Sequence, residues 1–265
     1  MINTARKRLV QKYYSIRAKD YDRQKSRTWK SDHGLGTEVL NEVLDAFEGF
    51  EDKVSLDVGV GSGRNAKPLL EKVRPSLVGL DLTKEMLEVA RNKMAPCKQY
   101  LNLILGDAEH LPFVAGTFDA ILCVSTMHYF THQKKIVKEF ARLLKKNGMF
   151  VYGDLSPHES DNKEFFEKLE RTISKAHARY YKASEMKELL EAHGFCTSRI
   201  KTVAYAKSYS SLIEDKARYF GAKPETLQRY LKTASKETRQ QYALTNDAIN
   251  LFYTVIVATR RTQTP

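Results

Sequence analysis

An alternating run of glycines is the part of this sequence whose residue types most clearly suggest chemistry. The apolar segment 54–58 leads directly into Gly59, Gly61 and Gly63. Because glycine has no Cβ, such a loop can bring its backbone close to a bound nucleotide. A second apolar segment ends at Asp81, eighteen residues after Gly63, where a carboxylate can accept hydrogen bonds from both hydroxyls of a ribose. Together these residues predict a pocket for a cofactor that contains adenosine.

The residue after the last glycine distinguishes between two kinds of cofactor. A dinucleotide-binding loop, GxGxxG, needs glycine or alanine at position 64, so that the next helix can pack closely and point its N-terminus at a pyrophosphate. Position 64 is Arg, and the spacing from Asp57 to Gly63 is instead DxGxGxG. An oxidoreductase that uses a nicotinamide dinucleotide is therefore disfavoured.

The elements that must position these residues follow from the hydrophobic pattern. Apolar runs of strand length alternate with helical patterns and cover residues 54–58, 77–80, 101–105, 119–124 and 149–153. This alternation is typical of repeated βαβ units around a buried parallel sheet, and it predicts a doubly wound α/β fold. Two later runs, 199–205 and 252–259, predict a sixth and a seventh strand.

The helix before the fifth strand illustrates the pattern. Lys and Arg lie on one face, and the apolar residues recur at helical spacing on the other: Ile136, Val137, Phe140, Leu143 and Leu144. We expect Gly148 to end this helix, because glycine readily adopts the left-handed conformation that follows many helix ends.

Five motifs in one order, over about the first 155 residues, carry a family resemblance. They are the loop from Asp57 to Gly63, the strand end at Asp81, and the segments 104–113, 118–130 and 139–150. In this order they resemble the class I S-adenosylmethionine-dependent methyltransferases. Segments 13–14 and 18–22 resemble the N-terminal part of the ubiquinone/menaquinone methyltransferase-like branch, methyltransferase type 11. The resemblance implies a Rossmann-like, mostly parallel seven-stranded sheet with an antiparallel last strand, helices on both faces and a helical cap.

The resemblance also implies which residues hold the cofactor S-adenosylmethionine and its product S-adenosylhomocysteine. Gly59, Gly61 and Gly63 let the backbone meet the amino-acid and ribose parts, while Asp57 anchors either the loop or the methionyl ammonium group. Asp81 accepts the ribose hydroxyls. The other cofactor-binding candidates are Asp107 at the adenine amino group, Ala108 beside it, Leu82 and Met86 over the ring, and Ser125 and Tyr21. As alternatives, Asp81 and Asp107 could only cap the helix or turn that follows each of them.

Aromatic residues near the N-terminus are candidates for a further contact with this cofactor. Tyr21 and Trp29 could cover the sulfonium by a cation-π contact. Each could instead serve only in packing, as we expect for Tyr13.

The chemistry of such a donor needs little from the protein besides geometry. The sulfonium methyl is already electrophilic, so the acceptor must mainly be held in line behind it, away from water. If the acceptor has to lose a proton, His128 is the first candidate for the general base, because its turn follows the fourth strand and imidazole titrates near neutrality. Tyr129 is the second catalytic candidate, and Asp154 is a weaker one. His128 could instead only bind backbone groups, and the acceptor atom stays open among oxygen, nitrogen, sulfur and carbon.

The positive charge of the chain is concentrated at its two ends. The net charge is +12, with +8 in residues 1–30 and +7 in residues 199–265. We divide the chain into a basic N-terminal segment (1–30), a cofactor-binding core (31–198), and the last two strands with a helical insertion at 206–251. In the resembled family the two basic parts close over the substrate, so a basic rim would concentrate a small anionic acceptor. The alternative is a charged surface that serves solubility.

The insertion 206–251 is too long for a structureless loop in a compact domain, so we expect helices. One is indicated by Leu212, Ile213, Tyr219 and Phe220, a second by Pro224, Leu227, Tyr230 and Leu231, and a third by Tyr242, Leu244 and Ile249. A helix around Phe165, Phe166, Leu169 and Ile173 should join the same cap. We expect this cap to select the acceptor.

Two other classes of protein compete with a small-molecule methyltransferase. The net charge admits an RNA or tRNA methyltransferase, but no NPPY-like tetrad follows the fourth strand, and no appended RNA-binding module is evident. Nucleic acid is therefore a possible but not a favoured partner. A non-catalytic protein that binds an adenosine cofactor is the second alternative.

Cysteine usage and hydropathy limit the remaining possibilities. Cys97, Cys123 and Cys196 show no CxxC spacing, so neither a metal site nor a disulfide framework is indicated, and we expect Cys123 in a core strand. No run of eighteen apolar residues predicts a membrane span. We expect a soluble, cytoplasmic protein.

Overall fold

A seven-stranded sheet in the order β3-β2-β1-β4-β5-β7-β6 runs through the molecule. The computed structural model describes residues 2–21 and 35–261, so Trp29 and the junction at residue 30 lie outside the described residues. The strands are β1 (Val54–Val58), β2 (Ser76–Asp81), β3 (Leu101–Leu105), β4 (Phe118–Val124), β5 (Leu144–Ser156), β6 (Phe195–Ser208) and β7 (Ala248–Arg260). The doubly wound α/β fold and all seven predicted strands are confirmed.

Ten α-helices in the described ranges surround this sheet. They are α1 (Ile2–Arg17), α2 (Leu35–Ala46), α3 (Ala66–Lys72), α4 (Lys84–Lys93), α5 (Gln133–Leu143), α6 (Phe165–Ile173), α7 (Ala183–Glu191), α8 (Tyr209–Phe220), α9 (Pro224–Lys232) and α10 (Lys236–Gln241). Short 3-10 turns at Ala18–Asp20, Ala95–Tyr100 and Met127–Tyr129 complete the described helical structure.

The strand pairing places a crevice beside β1. β1 pairs in parallel with β2 on one side and with β4 on the other, so that Asp57 lies opposite Gly79 and Leu122. The strand order reverses at this point, and ligands of open α/β sheets bind outside the carboxyl ends of the strands at such a reversal. β7 runs antiparallel to both β5 and β6, as the resemblance implies.

The alternation of side chains along β4 divides the apolar core between the two faces of the sheet. Ile121 and Cys123 belong to a cluster that includes residues of α5 and α7. Leu122 and Val124 belong to a cluster that includes residues of α2 and α3. Cys123 is fully buried, as predicted, and Cys97 and Cys196 are also free thiols.

Gly148 does not end the helix before β5, and that prediction was wrong. α5 ends at Leu143, and Leu144 has extended backbone angles and pairs with Phe118 of β4. Leu144 and Phe118 are both buried. The register between β4 and β5 is irregular at this pair. Strand pairing and burial therefore determine the backbone of Leu144, in spite of its helical spacing.

The helices α6, α8, α9 and α10 form the predicted cap. Side chains of α6, α8 and α9 share one apolar cluster with Tyr242. The first two helices of the insertion lie where the sequence predicts them, but the third is earlier, at α10. Ile249 belongs to β7, where it pairs with Lys207 of β6, because the two long strands extend into both ends of the predicted insertion.

Within the described ranges, no helix combines the length and the apolar character needed to cross a bilayer. In the same part of the chain, no three His, Cys, Asp or Glu side chains are arranged to hold a metal ion.

Candidate active site

The carboxyl ends of β1, β2, β3 and β4 surround one open pocket of about 920 Å³, counting its mouth. Ten of the predicted site residues line it: Gly59, Gly61, Asp81, Leu82, Met86, Asp107, Ala108, Ser125, Tyr129 and Tyr21. Three others, Asp57, Gly63 and His128, lie outside the lining.

Glycine is required at the first two positions of the loop after β1. Gly59 has a φ of +79°, and a Cβ there would lie 2.3 Å from Oγ1 of Thr126. Gly61 has a φ of +56°, and its Cβ would lie 3.4 Å from Cε of Met86, another residue of the pocket. The left-handed backbone and the close contacts keep this wall of the pocket free of side chains.

Asp81 joins this loop to the end of β2. One of its carboxylate oxygens accepts the amide hydrogen of Gly61 at 2.9 Å, and the other accepts that of Thr83 at 2.8 Å. Burial raises the pKa of Asp81, although these backbone donors act in the opposite direction. The side chain of Thr83 and the backbone of Leu82 also lower this pKa through hydrogen bonds, and Asp81 lines the pocket.

Asp57 and Gly63 lie behind the pocket wall. The side chain of Asp57 is 4% exposed, and burial, followed by the charge of Asp81, raises its pKa to about 7. No described residue donates a hydrogen bond to its carboxylate. A Cβ at Gly63 would meet the side chain of Met94 rather than the pocket.

The end of the pocket near β3 carries two acidic residues that are paired with a lysine. Nζ of Lys7 contacts the carboxylate of Asp107 and lies 2.7 Å from that of Glu109. Partial burial by itself would raise the pKa of Asp107, but Lys7 and the amide of Glu109 lower it below its usual value. Asp107 also accepts the Glu109 amide hydrogen at 3.0 Å, so the turn cap weighed as an alternative is present at this residue.

Helix α1 forms the roof of the pocket, with Lys7, Val10 and Tyr14 in the lining. Gln11 donates to the carbonyl of Leu82 at 3.0 Å, which fixes the helix beside the end of β2. Further along, Ser15 donates to the carboxylate of Glu85 at 2.7 Å. The roof is therefore attached to the first turn of α4 as well as to the turn after β3.

Tyrosine rings gather where the roof meets the turn after β4. The hydroxyls of Tyr14 and Tyr129 are 3.0 Å apart, and the ring of Tyr21 lies 5.8 Å from that of Tyr14. All three line the pocket. Tyr13, which we expected in packing, is buried and stacks on Phe220 of α8. Aromatic faces at this position suit a cationic group of a ligand.

His128 is held by Asp154 next to this tyrosine group. Its Nδ1 lies 2.9 Å from both carboxylate oxygens of Asp154, and its amide also donates to that carboxylate. The ring packs against that of Tyr129 at an interplanar angle of 47°, with centroids 4.0 Å apart, and the residue is 8% exposed. Nε2 has no hydrogen-bond partner among the described residues, yet it is not sealed from solvent. The arrangement leaves one nitrogen able to accept a proton.

Backbone strain marks the start of this turn. Ser125 has a φ of +55°, which is unusual for a residue other than glycine, and it lines the pocket. Its hydroxyl lies 2.8 Å from that of Tyr253 in β7. Strained residues are often found at functional sites.

Several residues of the pocket lining were not predicted as site residues from the sequence, and the clearest cases are Lys7, Val10, Tyr14, Arg64 and Glu109. The first three lie at spacings of three and four on α1, which is the signal of one helix face. This spacing identifies one face of the helix, but it does not show which part of the protein that face covers.

Comparison with known proteins agrees with this geometry. Residues 56–152 match the family described as "Methyltransferase domain". An uncharacterized methyltransferase of Bacillus subtilis, YcgJ, is 32% identical over 197 residues, which are 72% of this chain and 75% of that protein. The chain belongs to the S-adenosylmethionine-dependent methyltransferases.

Further relatives of this methyltransferase place it in the branch predicted from its sequence. The demethylmenaquinone methyltransferase of Thermotoga maritima is 31% identical over 126 residues, 47% of this chain and 53% of that protein. The crystal structure of YcgJ superposes with a TM-score of 0.76 at 26% identity, over 85% of this chain and 99% of that one.

The pocket of this methyltransferase has groups that fit the cofactor of its family. Two glycines without side chains form one wall, and the carboxylate of Asp81 and the rings of Tyr14, Tyr21 and Tyr129 line the same space.

Proposed function

We propose that this methyltransferase transfers a methyl group by in-line displacement to a small acceptor held between α1 and the cap. The observation that carries the proposal is the cover that α1 forms over the pocket. α1 covers it, and Phe220 of α8 stacks on Tyr13 of α1 with ring centroids 4.7 Å apart. A small molecule fits beneath this closure more readily than a folded RNA does.

The cofactor contacts belong to the same proposal. The backbone at Gly59 and Gly61 receives the amino-acid and ribose parts, and Asp81 accepts the ribose hydroxyls. Asp107 receives the adenine amino group, with Ala108, Leu82 and Met86 around the ring. Asp57 and Gly63 act from behind the loop, and Ser125 and Tyr21 contact the cofactor near its sulfonium.

When bound, S-adenosylmethionine supplies an electrophilic methyl group on a sulfonium. Tyr14, Tyr21 and Tyr129 keep water from this centre and offer aromatic faces to its charge. Nε2 of His128 accepts the proton of an acceptor that must lose one. Asp154 fixes the ring through Nδ1 and stabilises the imidazolium.

The outer surface of α1 supports the expectation of an anionic acceptor. Arg8 and Lys12 are exposed there, and Lys19 is exposed in the 3-10 turn that follows α1. Lys7, by contrast, is paired within the site. Exposed cations around a pocket raise the local concentration of anions. The other explanation of these exposed positive charges is that they only keep the protein in solution.

Two experiments test the proposal. Calorimetry should show S-adenosylhomocysteine binding at micromolar concentration and no binding of NADH. Incubation with isotopically labelled S-adenosylmethionine and a fractionated cell extract, followed by mass spectrometry, should then reveal a small molecule that gains one methyl group. Cofactor binding without any methylated product would favour the non-catalytic binding protein.

Binding to bulk transfer RNA tests the competing RNA methyltransferase. A steep decrease of that binding with salt, together with labelled RNA, would favour it over the small-molecule enzyme. We expect no labelled RNA at any salt concentration.

A further inference from the structure

A buried glutamine at the start of α5 joins two backbone segments next to His128. Nε2 of Gln133 lies 2.8 Å from the carbonyl oxygen of Met127 and 2.9 Å from that of Arg179. An amide nitrogen carries two hydrogens, so this one side chain can donate to both carbonyls. Met127 directly precedes His128, whereas Arg179 belongs to the segment 177–180 between α6 and α7. Gln133 therefore ties the turn of the proposed general base to a second part of the chain.

The burial of Gln133 is explained by these two hydrogen bonds and not by its helix. The residue is 5% exposed. Glutamine is seldom fully buried, because removing its amide from water is unfavourable unless other hydrogen bonds replace those to water. Its side chain does not cap α5, since the N-cap is His132 and no side chain caps that helix. The bonds that compensate its burial thus belong to the surroundings of His128.

The helix that carries Gln133 is a firm support. Four apolar side chains of α5 are at most 2% exposed and share one core cluster with Ile121 and Cys123 of β4: Ile136, Val137, Phe140 and Leu143. Interiors packed in this way transmit displacements but hardly deform. The amide of Gln133 therefore holds both carbonyls at fixed positions relative to the sheet.

The segment 177–180 packs directly against the turn and its imidazole. The amide of Ala178 donates to the carbonyl of His128 at 2.8 Å. The ring of Tyr180 lies 4.8 Å from the imidazole of His128 and 5.6 Å from the ring of Phe166 in the cap helix α6. One side of the imidazole is therefore bounded by a segment whose backbone the glutamine holds.

Asp154 alone does not determine where Nε2 of His128 lies. Its carboxylate binds Nδ1 and the amide of His128, which orients the ring. The carbonyls on the same turn have other partners: Gln133 donates to that of Met127, and Ala178 donates to that of His128. Two separate sets of hydrogen bonds thus fix the ring and the turn that carries it.

We propose that Gln133 is a positioning residue for methyl transfer. It holds the turn 127–129, and with it Nε2 of His128, in the place from which the imidazole can accept a proton from the methyl acceptor. Gln133 itself does not line the pocket, so it acts through His128 and touches neither cofactor nor acceptor. A misplacement of about 1 Å at a reacting group can lower a rate about 10²-fold. The inference rests on the proposed function, since it adds a residue to the same site.

The variant Gln133→Met tests this role, because it keeps the length of the side chain and removes both donors. Calorimetry should show an affinity for S-adenosylhomocysteine within twofold of the wild type. Transfer of label from S-adenosylmethionine, measured with the extract fraction that gives labelled product with the wild type, should fall about tenfold or more. In the His128→Ala background the same substitution should change the rate less than twofold, because no base is left to position.

Nuclear magnetic resonance of protein with ¹⁵N-labelled histidine gives a second measurement, which needs no acceptor. The chain has seven histidines, and the signals missing from His128→Ala identify His128. We expect Gln133→Met to shift or broaden these signals and to leave those of His193, which lies outside the pocket lining, unchanged. Gln133→Asn keeps the amide but is one methylene shorter, so it should bind at most one of the two carbonyls and have the same effects.

The same substitution at an exposed position, Gln99→Met, is the control and should change neither transfer nor the His128 signals. The inference is wrong if Gln133→Met keeps normal transfer or unchanged His128 signals, or if it lowers transfer equally in both backgrounds; the proposed function then stands. Loss of the fold in both Gln133 variants, seen by circular dichroism, would overturn it too, since the residue would then serve the fold itself. If His128→Ala keeps full activity, the proposed general base fails first, and this inference with it.

Discussion

The carboxylate of Asp81 accepts the amide hydrogen of Gly61 at a distance of 2.9 Å. The end of β2 and the glycine loop after β1 are thus joined through this side chain, as well as through the carbonyl of Leu80, which accepts the amide hydrogens of Gly59 and Val60. Asp81 therefore supports the left-handed loop and at the same time lines the pocket, where we propose that it meets the ribose. Asp81 does not form the helix cap that the sequence offers as the alternative, because the N-cap of α4 is Thr83 and no side chain caps that helix.

Replacing Asp81 by alanine should weaken the binding of S-adenosylhomocysteine by about 1 to 3 kcal/mol, because charge-assisted hydrogen bonds to the ribose are lost. Calorimetry measures the change directly. Asp45→Ala, on the exposed side of α2, is the matched control and should leave the affinity unchanged. An Asp81→Ala protein with the affinity of the wild type would show that the ribose is held by other groups.

Gly61→Val should abolish cofactor binding, since the branched side chain would project from the pocket wall near Met86. The control is Gly116→Val. Gly116 has a similar φ of +67°, but a Cβ there meets nothing within 4 Å. Both variants carry the strain of a left-handed backbone, so a difference in cofactor affinity measures the blocked pocket. Equal affinities in the two variants would contradict a close approach of the cofactor at Gly61.

The affinity for S-adenosylhomocysteine should increase between pH 6 and pH 8 if Asp57 pairs with the methionyl ammonium. The pKa of Asp57 is raised to about 7 by burial and by Asp81, so in the free protein the group is mostly protonated below that pH. Pairing requires the ionised form, and a proton must be released on binding at the lower pH. At pH 6 the affinity should be about tenfold below its plateau.

The variant Asp57→Asn tests whether Asp57 causes this pH dependence. It should remove the slope between pH 6 and pH 8, whereas Asp45→Asn should keep it. If the affinity of Asp57→Asn still increases with pH, Asp57 does not pair with the ammonium group. Its remaining role would then be to anchor the loop.

His128→Ala should lower methyl transfer by about 10²- to 10⁴-fold while the cofactor affinity stays within twofold, because a general base acts on the acceptor and not on the donor. Asp154→Asn should lower transfer as well, since the ring loses its orienting carboxylate. Label incorporated into the small-molecule product gives the rate. His193→Ala, whose Nδ1 lies 2.8 Å from the carbonyl oxygen of Leu189, is the control. Full activity of His128→Ala would show that methyl transfer needs no general base and depends only on the positioning of the acceptor.

The parts of the fold that depend on local patterns were predictable from the sequence. β1 and β3 have the predicted bounds, and the remaining strands extend beyond theirs. Gly59 and Gly61 could be assigned because only glycine tolerates that backbone. The wrong end of α5 has a different cause: Leu144 has helical spacing, yet its pairing with Phe118 is decided by residues far away in the sequence.

The candidate site was predictable only where a motif carries it. Asp81 and Asp107 follow strands in a recognisable order, and both line the pocket. Lys7 has no motif, and its contact with Asp107 joins residues one hundred positions apart.

The position of α1 has a consequence for the order in which the chain assembles. Lys7, Gln11 and Ser15 all bind residues that lie seventy or more positions later. Helix α1 therefore has no docking surface at these contacts until β2, α4 and the turn after β3 have been synthesised. Closing loops of this length costs entropy before any contact forms, so α1 docks later than the elements that it contacts.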